Sequence, residues 1–134
     1  MAKAIYFDMD GTIANFYGVE NWLDYLVASD TTPYRVAKPL VNMNSLARLL
    51  NRLQAEGYHI GIVSWLSKCG TETYNAETAA TKMDWLNRHL HSVHWNEIKI
   101  VIIETILDVD IFTIFVKHMN IECKCLKFFD KNLE

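Results

Sequence analysis

The chain has 134 residues, enough for one domain and short for two. About half of them are apolar (51%) and 22% are charged, the balance of an ordinary globular protein, with aromatic residues to fill a core. The formal net charge of −3 excludes the basic face that non-specific nucleic-acid binding needs, so no nucleic-acid partner is expected.

The opening run Met1-Ala2-Lys3-Ala4-Ile5 carries no signal-peptide core. The most apolar late segment, 98–116, is interrupted by Lys99, Glu104, Asp108 and Asp110, so no membrane span is expected and the chain reads as cytoplasmic. Cys69, Cys123 and Cys125 make an odd count, which suggests reduced thiols rather than a disulfide framework. Cys123 and Cys125 are too close, and lack a companion pair, for a structural zinc site.

In chain order, residues 3–7 (Lys-Ala-Ile-Tyr-Phe) predict a short buried strand. Asp8 to Thr12 follow as a polar turn with Gly11 as its flexible point. A short helix is expected over about 20–29, with Trp22, Leu23, Leu26 and Val27 on one side, ended by Thr31-Thr32-Pro33. The clearest helix spans 42–56: Leu46, Leu49, Leu50 and Leu53 fall at helical spacing, Asn44 or Ser45 can cap it, and Gly57 closes it. Residues 58–63 read as a second buried strand ending at Ser64. A loop around 68–73 leads to a helix over about 76–90, with Ala80, Met83, Leu86 and Leu90 inward, and 98–103 form a third strand. This alternation predicts an α/β protein: a parallel, three-layer, Rossmann-like sheet with helices on both faces. Beyond it, 108–118 fit a helix or a strand pair, and Leu126-Lys127-Phe128-Phe129 a last strand.

Ligands of parallel α/β sheets sit outside the carboxyl ends of the strands. Asp8 and Asp10 directly follow the first strand and Ser64 the second, so three polar groups converge if those strands are neighbours. One carboxylate can attack phosphorus while the other handles the proton of the leaving oxygen, and magnesium would offset the repulsion between carboxylate and phosphate. A plain solvated turn is the alternative. A calcium loop lacks the later acidic ligands it needs.

Tyr6-Phe7-Asp8-Met9-Asp10-Gly11-Thr12 resembles the first motif of the haloacid-dehalogenase-like hydrolase superfamily, and Ile62-Val63-Ser64 its second. With Ile13-Ala14-Asn15-Phe16-Tyr17, Asn21-Trp22-Leu23 and Val63-Ser64-Trp65-Leu66-Ser67-Lys68, residues 3–100 are similar to small phage and bacterial proteins near the 5'(3')-deoxyribonucleotidase branch. The resemblance implies one domain over 1–134 with a reduced cap at about 13–40. Asp8 would be the nucleophile and Asp10 the general acid/base. Mg2+ would be held by the Asp8 side chain and the Asp10 carbonyl, and Ser64 would bind phosphate beside Thr12. The implied reaction is hydrolysis of a small phosphorylated molecule such as a nucleotide. Transfer to an acceptor other than water is equally open, and a weakened or inactive member would bind a phosphorylated ligand or a protein partner.

Two motifs stay open. The third needs a lysine, either Lys82 or one in a loop after the third strand, where this chain has Ile103-Glu104-Thr105; a solvated helix position is the alternative for Lys82. The fourth needs late acids: Asp130 is favoured as a metal ligand, although Lys131 replaces the second acid, with Asp108 and Asp110 as rivals. Relatives continue for further elements, so the C-terminal part is expected to be truncated or altered. Lys68 could reach a phosphate, and Trp65 is a better candidate than Trp22 or Tyr25 to stack on a base. His89, His91 and His94 read as a solvated helix end. A reduced cap leaves room for a second copy over the site, which allows a homo-oligomer.

Overall fold

The computed structural model describes residues 3–102, a mixed α/β arrangement. Strands β1 (Ala4–Phe7), β2 (His59–Leu66) and β3 (Glu97–Ile102) form a parallel sheet in that order, with Ile5 opposite Ile60, Phe7 opposite Ile62 and Ile62 opposite Ile98. Between β1 and β2 lie a 3-10 turn (Phe16–Gly18), α1 (Trp22–Val27), α2 (Thr32–Val36) and α3 (Met43–Ala55); α4 (Glu72–His89) connects β2 to β3. The elements expected at 108–118 and 126–129 lie outside the described residues, as do Cys123, Cys125, Asp108, Asp110 and Asp130. No described helix is long and apolar enough to cross a membrane.

Two parallel crossovers that step across a sheet in the same direction place their helices on the same face when both are right-handed. The core agrees: Leu46, Ala47 and Leu50 of α3 and Trp85, Leu86 and Leu90 of α4 join Phe7, Ile60 and Ile62 in one cluster. On the other face the Tyr6 side chain lies across β2 and its hydroxyl donates to the Glu97 carboxylate. Gly61 permits this, because a Cβ there would lie 2.5 Å from the Tyr6 ring and 3.0 Å from the Glu97 carbonyl.

Several expectations change. Strand β2 runs through Ser64 to Leu66, because β3 continues the ladder beside it after β1 has stopped. Ser64 therefore lies within β2 yet beyond the end of β1. Pro33 begins α2 instead of ending α1: near a helix start its missing N–H costs nothing. Helix α1 buries Trp22, Tyr25 and Leu26 in part, while Leu23 and Val27 stay exposed, so the expected apolar face was turned. Asn42, not Asn44 or Ser45, caps α3, its side chain accepting the Ser45 N–H at 2.9 Å. Helix α4 starts one turn earlier than expected, since Thr71 accepts the Tyr74 N–H at 3.1 Å. Its buried face holds Tyr74, Thr78, Lys82, Trp85 and Leu86, and Ala80 points outward.

Trp85 is fully buried and donates Nε1–H to the Ala37 carbonyl at 2.7 Å. Trp85→Phe should lose about 2 kcal/mol, because that carbonyl is left without its donor. Trp85→Ala should lose about 4 kcal/mol in chemical denaturation, as a cavity opens as well; an unchanged stability in Trp85→Phe would deny the hydrogen bond any role. The Glu97 hydrogen bond, burial and the Glu97 charge push the Tyr6 phenol up to about 12 from 10.0. Because the folded state then holds its proton longer than the unfolded chain, stability falls as pH rises from 10 to 12. Tyr6→Phe should flatten that part of the stability curve relative to the native chain.

Candidate active site

Strand β1 ends at Phe7, and the alternation of an extended chain continues for three residues: Met9 turns into the core while Asp8 and Asp10 face the cleft. The chain then reverses around one acceptor. The Met9 carbonyl takes the N–H groups of Thr12, Ile13 and Ala14 at 3.1, 3.0 and 2.9 Å, and Gly11 N–H donates to Ala14 at 2.8 Å. Gly11 has φ +78°, and a Cβ on it would approach the Tyr17 ring to 2.9 Å. Glycine is thus required here both by conformation and by the ring above it. Asp8 Oδ1 accepts the Met9 N–H at 2.9 Å, which fixes the carboxylate at the mouth of the loop.

Lys82 stands beside these acids. Only 1% of its side chain is exposed, and its ammonium donates to Asp10 Oδ2 at 2.8 Å, Ser64 Oγ at 2.7 Å and the Trp65 carbonyl at 2.7 Å. The three hydrogens of an ammonium meet three acceptors, one of them charged, which is what makes its burial affordable. The loop after β1, the end of β2 and the middle of α4 are joined at this atom.

The cleft above has a volume of about 300 Å³. Asp8 and Asp10 lie at one side, and Phe16, Tyr17, Trp22, Tyr34 and Trp65 supply most of its wall. The rings hold one another: Phe16 lies 4.7 Å from Tyr34 and 5.6 Å from Trp22, and Tyr17 meets Trp22 edge-on at 5.0 Å. Tyr34 also lies over the Lys82 ammonium, 4.9 Å from ring centroid to Nζ. Burial and the nearby Asp10 charge, in that order, drive the Tyr34 phenol upward, so it stays a protonated donor.

Of the residues singled out from sequence, Asp8, Asp10, Trp65 and the less favoured stacking candidate Trp22 line the cleft, and Ser64 and Lys82 lie buried beneath it. Lys82 is therefore a core residue, not a solvated one. Thr12 is buried inside the loop and Lys68 is exposed; neither lines the cleft. His89 stacks on Trp85 at 4.3 Å, and burial followed by the Arg88 charge lowers its pKa, while His91 and His94 are exposed. The wall residues Phe16, Tyr17 and Tyr34 were not singled out individually, although the segment 13–40 that carries them was expected to cover the site. For Lys82 a usable signal existed: Tyr74, Thr78, Lys82 and Trp85 share one helical stripe.

Magnesium favours carboxylate and phosphate oxygens and keeps much of its water. The Asp8 carboxylate and the Asp10 backbone carbonyl, which accepts none of the loop's backbone N–H groups, are donors of that kind, whereas Asp10 Oδ2 is engaged by Lys82. Among the described residues there is no group of three His, Cys, Asp or Glu able to hold a metal, and the late acids read from the sequence as ligands, Asp130 and its rivals, lie outside them.

Removing one member of the buried pair strands the other. Asp10→Ala should cost about 3 kcal/mol or more, because the ammonium left behind is almost fully enclosed. Lys82→Met should cost less, since the Asp10 side chain is 19% exposed and can reach water. In chemical denaturation the double variant should recover part of the summed loss, a coupling of about 1–3 kcal/mol; strict additivity would show that the pair does not act as a unit. Set against known proteins, the chain matches no family model, no curated protein and no solved structure.

Proposed function

We propose that the protein is a magnesium-dependent phosphomonoester hydrolase acting on a small phosphorylated molecule, with a nucleotide as the leading substrate class. The observation that carries this reading is the convergence of Asp8, Asp10, Ser64 and Lys82 beyond the end of β1, where two parallel strands open a cleft. A three-layer Rossmann-like fold, with a further layer on the sheet face opposite α3 and α4, is part of the same proposal. So is the role of residues 13–40 as a reduced cap.

In the mechanism an Asp8 carboxylate oxygen attacks phosphorus. A phosphorus–oxygen bond to Asp8 forms as the ester bond breaks, and Asp10, having taken up a proton from solvent once the substrate frees it from Lys82, gives that proton to the departing oxygen. Water then attacks the phosphorus, Asp10 takes a proton from it, and the bond to Asp8 breaks to release inorganic phosphate. Lys82 offsets negative charge gathered beside Asp8, and Ser64 positions the Lys82 ammonium. Magnesium held by Asp8 and the Asp10 carbonyl would supply charge neutralisation at the phosphoryl oxygens. The aromatic wall excludes water from one side of the cleft and offers flat surfaces to the leaving group.

One observation favours a second reading, a protein that binds a phosphorylated ligand or a partner without turning it over. All three Lys82 hydrogens already serve protein acceptors, and one of those is the acid the chemistry needs. Phosphate release from an aryl phosphate, with and without magnesium, separates the two. Hydrolysis should require the ion and should fall by about 10⁴-fold or more in Asp8→Asn, the scale of losing a covalent nucleophile. Undiminished release from that variant would end the aspartyl-phosphate mechanism, and tight phosphate binding without release would support the second reading.

A further inference from the structure

Tyr34 has no part in the mechanism above, yet its placement is fixed from several directions. Helix α2, which carries it, is fastened to α4 at its C-terminal end: Trp85 Nε1 donates to the Ala37 carbonyl at 2.7 Å and Arg88 to the Arg35 carbonyl at 3.0 Å. Both ends of the intervening segment are pinned as well, by Asn15 N–H on the Lys38 carbonyl at 2.8 Å and Leu40 N–H on Ile13 at 2.9 Å. Phe16 packs against the ring as well, its centroid 4.7 Å away. The result is an aromatic ring presented to an ammonium that has no hydrogen left to give. Beside the ring, the buried Tyr74 hydroxyl lies close to the Tyr34 phenol and helps to keep it protonated.

We propose that Tyr34 is a positioning residue whose ring holds the Lys82 ammonium in place while that ammonium exchanges Asp10 for a phosphate oxygen. An incoming phosphate can reach Lys82 only by displacing an acceptor it already has. At that moment a ring is the partner best suited to remain, because attraction between a cation and a π face consumes no N–H and tolerates a change of direction. Asp10 is thereby released at the step in which it must handle a proton, and the cap segment gains a direct influence on the charge centre. The proposal rests on the reading of the cleft as a phosphate site.

The test replaces Tyr34 by phenylalanine and then by a series of progressively fluorinated phenylalanines, which keep the shape of the ring while draining its negative face. Inorganic phosphate binding in the presence of magnesium is followed by calorimetry. Tyr34→Phe should bind phosphate within about twofold of the native chain, and affinity should then fall stepwise with fluorination, by about tenfold across the series. The melting temperature in the absence of phosphate should change far less than the affinity. Flat affinity across the series would overturn the proposal. So would a full loss in Tyr34→Phe, which would place the effect on the hydroxyl. Failure of the native chain to bind phosphate would overturn the phosphate reading and this proposal together, and that titration alone tells the two failures apart.

Discussion

Burying a lysine ammonium is among the most costly things a protein of this size can do, and the described structure is organised around one. With 1% of its side chain exposed, Lys82 cannot rely on water and must be met by three acceptors in fixed positions. Those acceptors come from distant parts of the chain: a loop carboxylate, a strand hydroxyl and a strand carbonyl. Each supplier is held for its own reason. Asp10 is aimed by the reversal around the Met9 carbonyl, and Ser64 and Trp65 by a ladder that β3 prolongs past the end of β1. Lys82 itself is aimed by the stripe it shares with Tyr74, Thr78 and Trp85. Because the requirement is collective, the Lys82 ion pair ties the sheet, the loop and α4 into one unit.

The segment between β1 and α3 then takes its position from α4. Its short helices are too small to be stable by themselves, six and five residues long, so their geometry must come from what they rest against. Two side chains of α4 accept that role by reaching backbone carbonyls at 35 and 37, and the aromatic cluster closes the space between. The wall of the cleft is thus tied to the helix that carries the cation. Movement of the wall and movement of Lys82 are coupled by construction.

Most of the regular elements were legible because their signals are local. The Leu46–Leu50–Leu53 spacing and Gly57 delimit α3, and the apolar runs around Ile5, Ile62 and Ile98 mark the strands. Asp8 and Asp10 were legible as a pair because they follow a strand directly. What escaped depends on neighbours. The length of β2 is decided by β3, which no window around Ser64 contains. Helix α2 looked like a terminator because Pro33 serves either to stop a helix or to start one. The inward face of α4 was read in part: Leu86 and Leu90 are buried as expected, whereas Ala80 points outward and the polar members of the buried stripe were passed over. That stripe is buried because its lysine has somewhere to go, and the destination lies 72 positions earlier in the chain, at Asp10.

The same saturation that stabilises Lys82 sets a condition on any chemistry at Asp8. A fully satisfied network is rigid, and a rigid network gives no donor to a newcomer. On the proposed phosphate reading, the ligand must therefore bring enough charge to replace what it displaces, which a dianion entering beside an ammonium would do and a neutral molecule would not. Discrimination against uncharged ligands of similar shape then follows from the resting hydrogen bonds themselves, with no need for a clash. On the proposed reading Asp10 is the acceptor to give way: its side chain is 19% exposed, so its release leaves no buried group unpaired, whereas freeing Ser64, which has no exposure at all, would. The exposure difference between two neighbours of one ammonium thus orders the exchange.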